Sequence, residues 1–105
     1  MAAESRAHPR RVVNWRVRWT TDGSDGSGRA CDVGAKGMFL QCAGGAVQQG
    51  TRVVLEFRVP NRPGCDRIGA TVRWSGFKSS YGCSGWGLEF DDTSPAIDEF
   101  VGRAA

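Results

Sequence analysis

The sequence predicts an all-β domain, a six-stranded antiparallel β-barrel with one short C-terminal α-helix. Three observations point there. Apolar and polar residues alternate with period two in several separate stretches, as strands half-buried in a sheet require. The stretches are joined by connections rich in Gly, Ser, Asp and Pro, of a length that returns the chain antiparallel. Helical spacing enters only after residue 94. An open sheet of this kind would leave unpaired edges, and closing it on itself removes them. With 105 residues, 40% of them apolar and 15 of them glycine, the chain suits one core built from short strands and tight turns.

Residues 1–11 read as a flexible basic arm and residues 12–103 as the barrel domain with its helix; Pro9 discourages helix at His8. In "VVNWRVRW", Val13, Trp15, Val17 and Trp19 share one face, opposite Asn14, Arg16 and Arg18. "TTDGSDGSG" is expected to be a solvated loop. "RACDV" is the second strand, "VGAK" a hinge and "GMFLQC" the third. "TRVVLEFRV" alternates most clearly, with Val53, Leu55, Phe57 and Val59 inward, and "PNRPG" ends it. "DRIGATVRWSGF" places Ile68, Ala70, Val72 and Trp74 inward, "KSSYGCSG" is a loop, and "WGLEF" supplies Trp86, Leu88 and Phe90. All four tryptophans are thereby assigned to the core. Ser94 can cap a helix that begins at Pro95 and carries Ile97, Phe100 and Val101 as its apolar stripe. Two to three turns are too few to stand alone in water, so the helix must dock on the sheet.

Composition narrows the function. The net charge of +3 is concentrated at the start, where Arg6, Arg10, Arg11, Arg16 and Arg18 face only Glu4 within the first 20 residues. A basic segment on a near-neutral body points to a local anionic partner. Cys31, Cys42, Cys65 and Cys83 form no C-x-x-C pair and the one histidine, His8, is remote in sequence, so no metal site is expected. Cys31 and Cys42 flank the hinge, near enough in sequence to meet across strands, but reduced, core-facing thiols suit a cytosolic chain better. No stretch has the length of a membrane span or the pattern of a signal peptide, and a cytoplasmic location is the expectation. No nucleophile beside a base and no paired carboxylates are evident, so no enzyme is expected.

Two short stretches carry the chemistry. "RAHPR" sets Arg6 and Arg10 with three residues between them on an arm that proline keeps extended, with Arg11 adjacent. Guanidinium groups grip phosphate oxygens in pairs, fork onto guanine O6 and N7, and stack on bases. "DVGAKG" places Asp32 before Gly34 and Gly37. A carboxylate accepts from guanine N1–H and N2–H, and glycines let a ligand approach the backbone. Two arginines and one acid suit a guanine nucleotide with phosphodiester groups.

These stretches, followed by "GTRVVLEFRVP", "ATVRW" and "GWGLEFDD", make nearly the whole chain resemble a PilZ domain. That family's signature is R-x-x-x-R on the arm and [D/N]-x-S-x-x-G at the second hairpin. The resemblance implies a six-stranded barrel that acts in bacteria as a non-catalytic receptor for cyclic di-GMP, with no cofactor and a protein partner downstream. It implies that Arg6 and Arg10 grip phosphates and stack on guanine, and that Asp32 and Gly37 contact a guanine base. One position departs: Gly34 stands where the family has serine. Losing one neutral hydrogen bond costs about 0.5–1.5 kcal/mol, at most roughly tenfold in affinity. Two alternatives remain. One is a barrel that binds single-stranded nucleic acid, disfavoured because the aromatic residues fall inward by phase. The other is a degenerate PilZ-like adaptor that binds protein and no nucleotide.

Overall fold

The computed structural model describes residues 10–42 and 47–102. They form β1 (Arg10–Thr20), β2 (Asp25–Gly34), β3 (Gly37–Gln41), β4 (Arg52–Phe57), β5 (Asp66–Lys78), β6 (Cys83–Phe90) and α1 (Pro95–Gly102). All neighbouring strands are antiparallel and the sheet closes in the order β1-β2-β3-β6-β5-β4. The six strands and terminal helix expected from the periodicity are therefore present. β1 begins at Arg10, so Arg10 and Arg11 of the expected arm are strand residues. Arg6 lies outside the described residues.

The interior is apolar throughout. Val17, Ala30, Val33, Met38, Leu40, Leu55, Ala70, Val72 and Ile97 are completely buried, and Phe57, Val59 and Leu88 nearly so. The barrel seam is narrow where β1 meets β4, since only Arg18–Thr20 pair there with Val54–Glu56. Trp15 fills the adjoining gap, stacked on Phe57 at 5.8 Å and edge-on to Phe100 of α1 at 5.0 Å. The Ser94 hydroxyl accepts from the Ile97 N–H at 3.2 Å, the cap expected for this helix.

Three expectations need correction. The first loop is only Thr21–Ser24, because Gly26 and Gly28 belong to β2. These glycines mark close packing: a Cβ at Gly26 would stand 2.6 Å from the Trp19 ring, and one at Gly28 would overlap the Gln41 carbonyl. Trp74 is not in the core. Between Val72 and Trp74 the β5–β6 register slips by one residue, so Trp74 turns outward over Gly87 and is 40% exposed. The cysteines are all free; Cys42 packs half-buried against the core, whereas Cys31 and Cys83 are half-buried outside it and Cys65 is exposed. Cys31 and Cys42 do not pair across strands, since Gln41 already stands opposite Arg29 and Cys31 sits in a bulge.

Candidate functional site

The site begins with that bulge. Ala30 stands opposite Leu40 and Asp32 opposite Phe39, so β2 carries one extra residue, Cys31. A single inserted residue re-aims the side chains that follow it. Met38 and Leu40 point into the barrel, and Phe39, alternating with them, lies on the outer surface beside Asp32. Yet Phe39 is 1% and Asp32 4% exposed, because other chain segments roof them over. Trp74 stacks on Phe39 at 5.5 Å and Tyr81 at 5.7 Å, while the Lys78 ammonium lies 5.2 Å from the Phe39 and Tyr81 rings.

Asp32 is held by four groups from three directions. Its Oδ1 accepts from the Arg10 guanidinium and from the Phe39 backbone N–H at 3.1 Å. Its Oδ2 accepts from the Tyr81 hydroxyl at 2.6 Å and lies 3.7 Å from Lys78 Nζ. Burial alone would raise the Asp32 pKa. The hydrogen bonds from Tyr81 and Arg10, with the charges of Arg10 and Lys78, outweigh it and hold the carboxyl below its ordinary value. Partial burial and the hydrogen bond to Asp32 push the Tyr81 phenol up to about 12. The acid is thus ionised and fixed in place, flanked by two cations.

Two clefts adjoin it. One, of about 390 Å³, is lined by Arg10, Arg11, Asp32, Lys78, Ser80 and Tyr81. The other, of about 330 Å³, is lined by Arg10, Phe39, Arg73, Trp74, Lys78 and Gly87. Arg10 and Lys78 belong to both and stand between them, so cations occupy the middle and aromatic or carboxylate groups the two sides. A larger opening of about 490 Å³ lies elsewhere on β1–β3, at Asn14, Arg16 and Arg29, and shares no residue with these two.

Of the residues singled out from sequence, Arg10 and Asp32 are in direct contact. Arg11 borders the first cleft, but its guanidinium turns to α1, donating to the Phe100 carbonyl at 3.1 Å and lying 4.1 Å from the Phe100 ring. Gly34 is buried and pairs with Arg10 on one side and Gly37 on the other. A Cβ on Gly37 would collide with the Leu88 carbonyl, so this glycine admits a neighbouring strand. Sequence reading missed Phe39, Trp74, Lys78 and Tyr81. Tyr81 alone carried a signal: it is the chain's one tyrosine, in a loop otherwise of Ser and Gly. No group of three metal-ligating side chains occurs among the described residues.

The fold is similar to two solved structures. Against the inhibitor of motility MotI/DgrA of Bacillus subtilis the TM-score is 0.77, with 19% identity over 94% of this chain and 50% of that one. The chain thus spans half the length of that protein. Against the PilZ domain of YcgR from Escherichia coli, determined with c-di-GMP, the TM-score is 0.67, with 18% identity over 94% of this chain and 87% of that one. No curated protein matches the sequence. The barrel, its terminal helix and the two motifs agree with a match to the PilZ domain model over residues 4–103, and the chain belongs to the PilZ domain family.

Proposed function

We propose that the chain is a receptor domain for cyclic di-GMP that passes the level of this second messenger to a protein partner by ordering its N-terminal arm. The observation that carries the reading is the contact between Arg10 and Asp32 at a point where two clefts meet. Cyclic di-GMP has two phosphates in its central ring and a guanine on either side. Arg10 and Lys78 match the phosphates, Asp32 matches the N1–H and N2–H edge of one guanine, and the exposed Trp74 ring offers the other a stacking face. Arg6 would close over the ligand from the arm, with Arg11 adding charge at the rim. Gly34 and Gly37 keep the hairpin beneath free of side chains. No catalytic step or cofactor is part of the proposal.

Arm ordering follows from composition: a short basic segment with little apolar surface is stabilised over the barrel when an anion lies beneath it. A cytoplasmic setting belongs to the same proposal; among the described residues no helix is long and apolar enough to cross a membrane. Calorimetric titration with cyclic di-GMP tests it, with saturable heat at micromolar ligand expected. Absence of heat and of competition up to high micromolar ligand would favour the second reading, an adaptor that binds protein alone. Two observations keep that reading alive: glycine replaces the family serine at Gly34, and the Asp32 oxygens are already engaged within the chain.

A further inference from the structure

The Asp32 carboxylate offers about four acceptor positions; three accept hydrogen bonds from within the chain, and Lys78 Nζ lies 3.7 Å from Oδ2. The Phe39 N–H is part of the sheet and cannot withdraw, which leaves Arg10 on Oδ1 and Tyr81, with Lys78 behind it, on Oδ2. A guanine edge needs one acceptor on each oxygen. Arg10 can turn from the acid to a phosphate without leaving the site. Tyr81 has no such second role, because a phenol held on Oδ2 stands where the base must come.

We propose that Tyr81 is a built-in stopper of the nucleotide site: its hydroxyl takes the place of a guanine N–H on Asp32, and ligand enters only as the turn carrying Tyr81 is evicted. This inference rests on the cyclic di-GMP reading and adds a second moving part to it. The turn is suited to that part. It spans Ser79–Gly82 at the tip of the β5–β6 ribbon, where Arg73–Phe77 are all exposed. Its backbone bonds are local, from Tyr81 N–H and Gly82 N–H to the Lys78 carbonyl. Among the described residues the turn's side-chain tie to the barrel is Tyr81 itself, through its hydroxyl and its stack on Phe39. Gly76, with φ 149°, and Gly82, with φ 67°, bracket the segment at backbone angles only glycine adopts easily, and both lie in open space. The ribbon also carries Phe77, 65% exposed, so displacing it alters an apolar surface available to a partner. Occupancy is thereby reported by the ribbon as well as by the arm.

Tyr81→Phe keeps the ring and its stack but removes the competing hydroxyl. Titrated with cyclic di-GMP, this variant is expected to bind about tenfold more tightly than the unaltered chain. Equal or weaker binding by the variant, with the unaltered chain binding normally, overturns the stopper and leaves the receptor reading intact. If neither protein binds, the receptor reading fails and the stopper with it. A second measurement needs no variant. The chain has one tyrosine, so tyrosine labelled with 13C at Cζ gives one resonance. Its phenol is expected to titrate near 12 without ligand and near the ordinary value of about 10 in the saturated complex. An unchanged resonance and titration in a saturated complex would show Tyr81 still on Asp32 and refute the eviction.

Discussion

Phe39 donates its backbone N–H to the Asp32 carboxylate at 3.1 Å, across the point where β2 carries an extra residue. The bond fastens an ionised side chain to the sheet on the outside of the barrel. It orients one oxygen toward β1 and Arg10, and the other toward Lys78 and Tyr81. An acid held this rigidly presents a fixed acceptor, which suits recognition of a planar donor edge.

The first consequence is a pH-dependent stability. The Asp32 carboxyl is held below its ordinary pKa. Its stabilisation is therefore complete above the unfolded value of about 3.9 and is lost as pH falls through the lower folded value. Asp32→Asn should lower stability near neutral pH by about 1–3 kcal/mol, since the charged hydrogen bonds from Arg10 and Tyr81 are lost. Urea midpoints of the two proteins should converge as pH drops below about 4. A constant gap down to the lowest pH at which both fold would show that the carboxylate charge adds nothing.

Arg10→Ala should weaken cyclic di-GMP binding by roughly tenfold to a hundredfold, the loss of one charge-assisted contact. Because Arg10 also neutralises Asp32 in the free protein, melting temperatures must be compared alongside the calorimetry. Unchanged affinity in a folded variant would remove Arg10 from the site. Gly34→Ser should tighten binding modestly by supplying the missing hydroxyl, and a loss would mean that the hairpin holds ligand differently.

Much of this was legible along the chain, and what was not has specific causes. Alternation located β1, β4, β5 and β6, and Val53, Leu55, Phe57 and Val59 are all buried as their phase requires. Helical spacing after Ser94 located α1. Arg10 and Asp32 stood out because their chemistry is complementary. Periodicity failed at two inserted residues: the slip after Val72 reversed Trp74, and the bulge at Cys31 carried Asp32 onto a roofed outer surface. Glycine was ambiguous, since Gly26, Gly28 and Gly85 resemble loop residues but give room to Trp19, Gln41 and Leu40. Tyr81 meets Asp32 across 49 positions, a contact to which no local pattern corresponds.

The close approach at Gly37 gives a test of the hairpin that is independent of ligand. A Cβ there meets the Leu88 carbonyl, and β3 cannot shift without breaking its pairing with β6. Gly37→Ala should destabilise by about 1–3 kcal/mol. Gly23→Ala, in the first loop with nothing within 4 Å, should change stability by no more than about 0.5 kcal/mol. Equal denaturant midpoints for the two variants would contradict the packing.

Salt dependence separates a dinucleotide receptor from a barrel that binds single-stranded nucleic acid. Each phosphate neutralised on a single strand contributes about −0.7 to the slope of log K against log salt. Cyclic di-GMP has two phosphates, so its slope should be no steeper than about −1.4. A polymer lying along the basic residues of β1 would engage more phosphates and fall more steeply. The geometry favours the shallow slope: Arg10 and Lys78 share one pair of clefts, whereas Arg16 and Arg29 border a separate opening. Titration of cyclic di-GMP and of a single-stranded oligonucleotide at several salt concentrations makes the comparison. Tighter oligonucleotide binding with a steep slope would assign the basic face of β1 to nucleic acid and leave Asp32, a like charge to the phosphates, without a part in it.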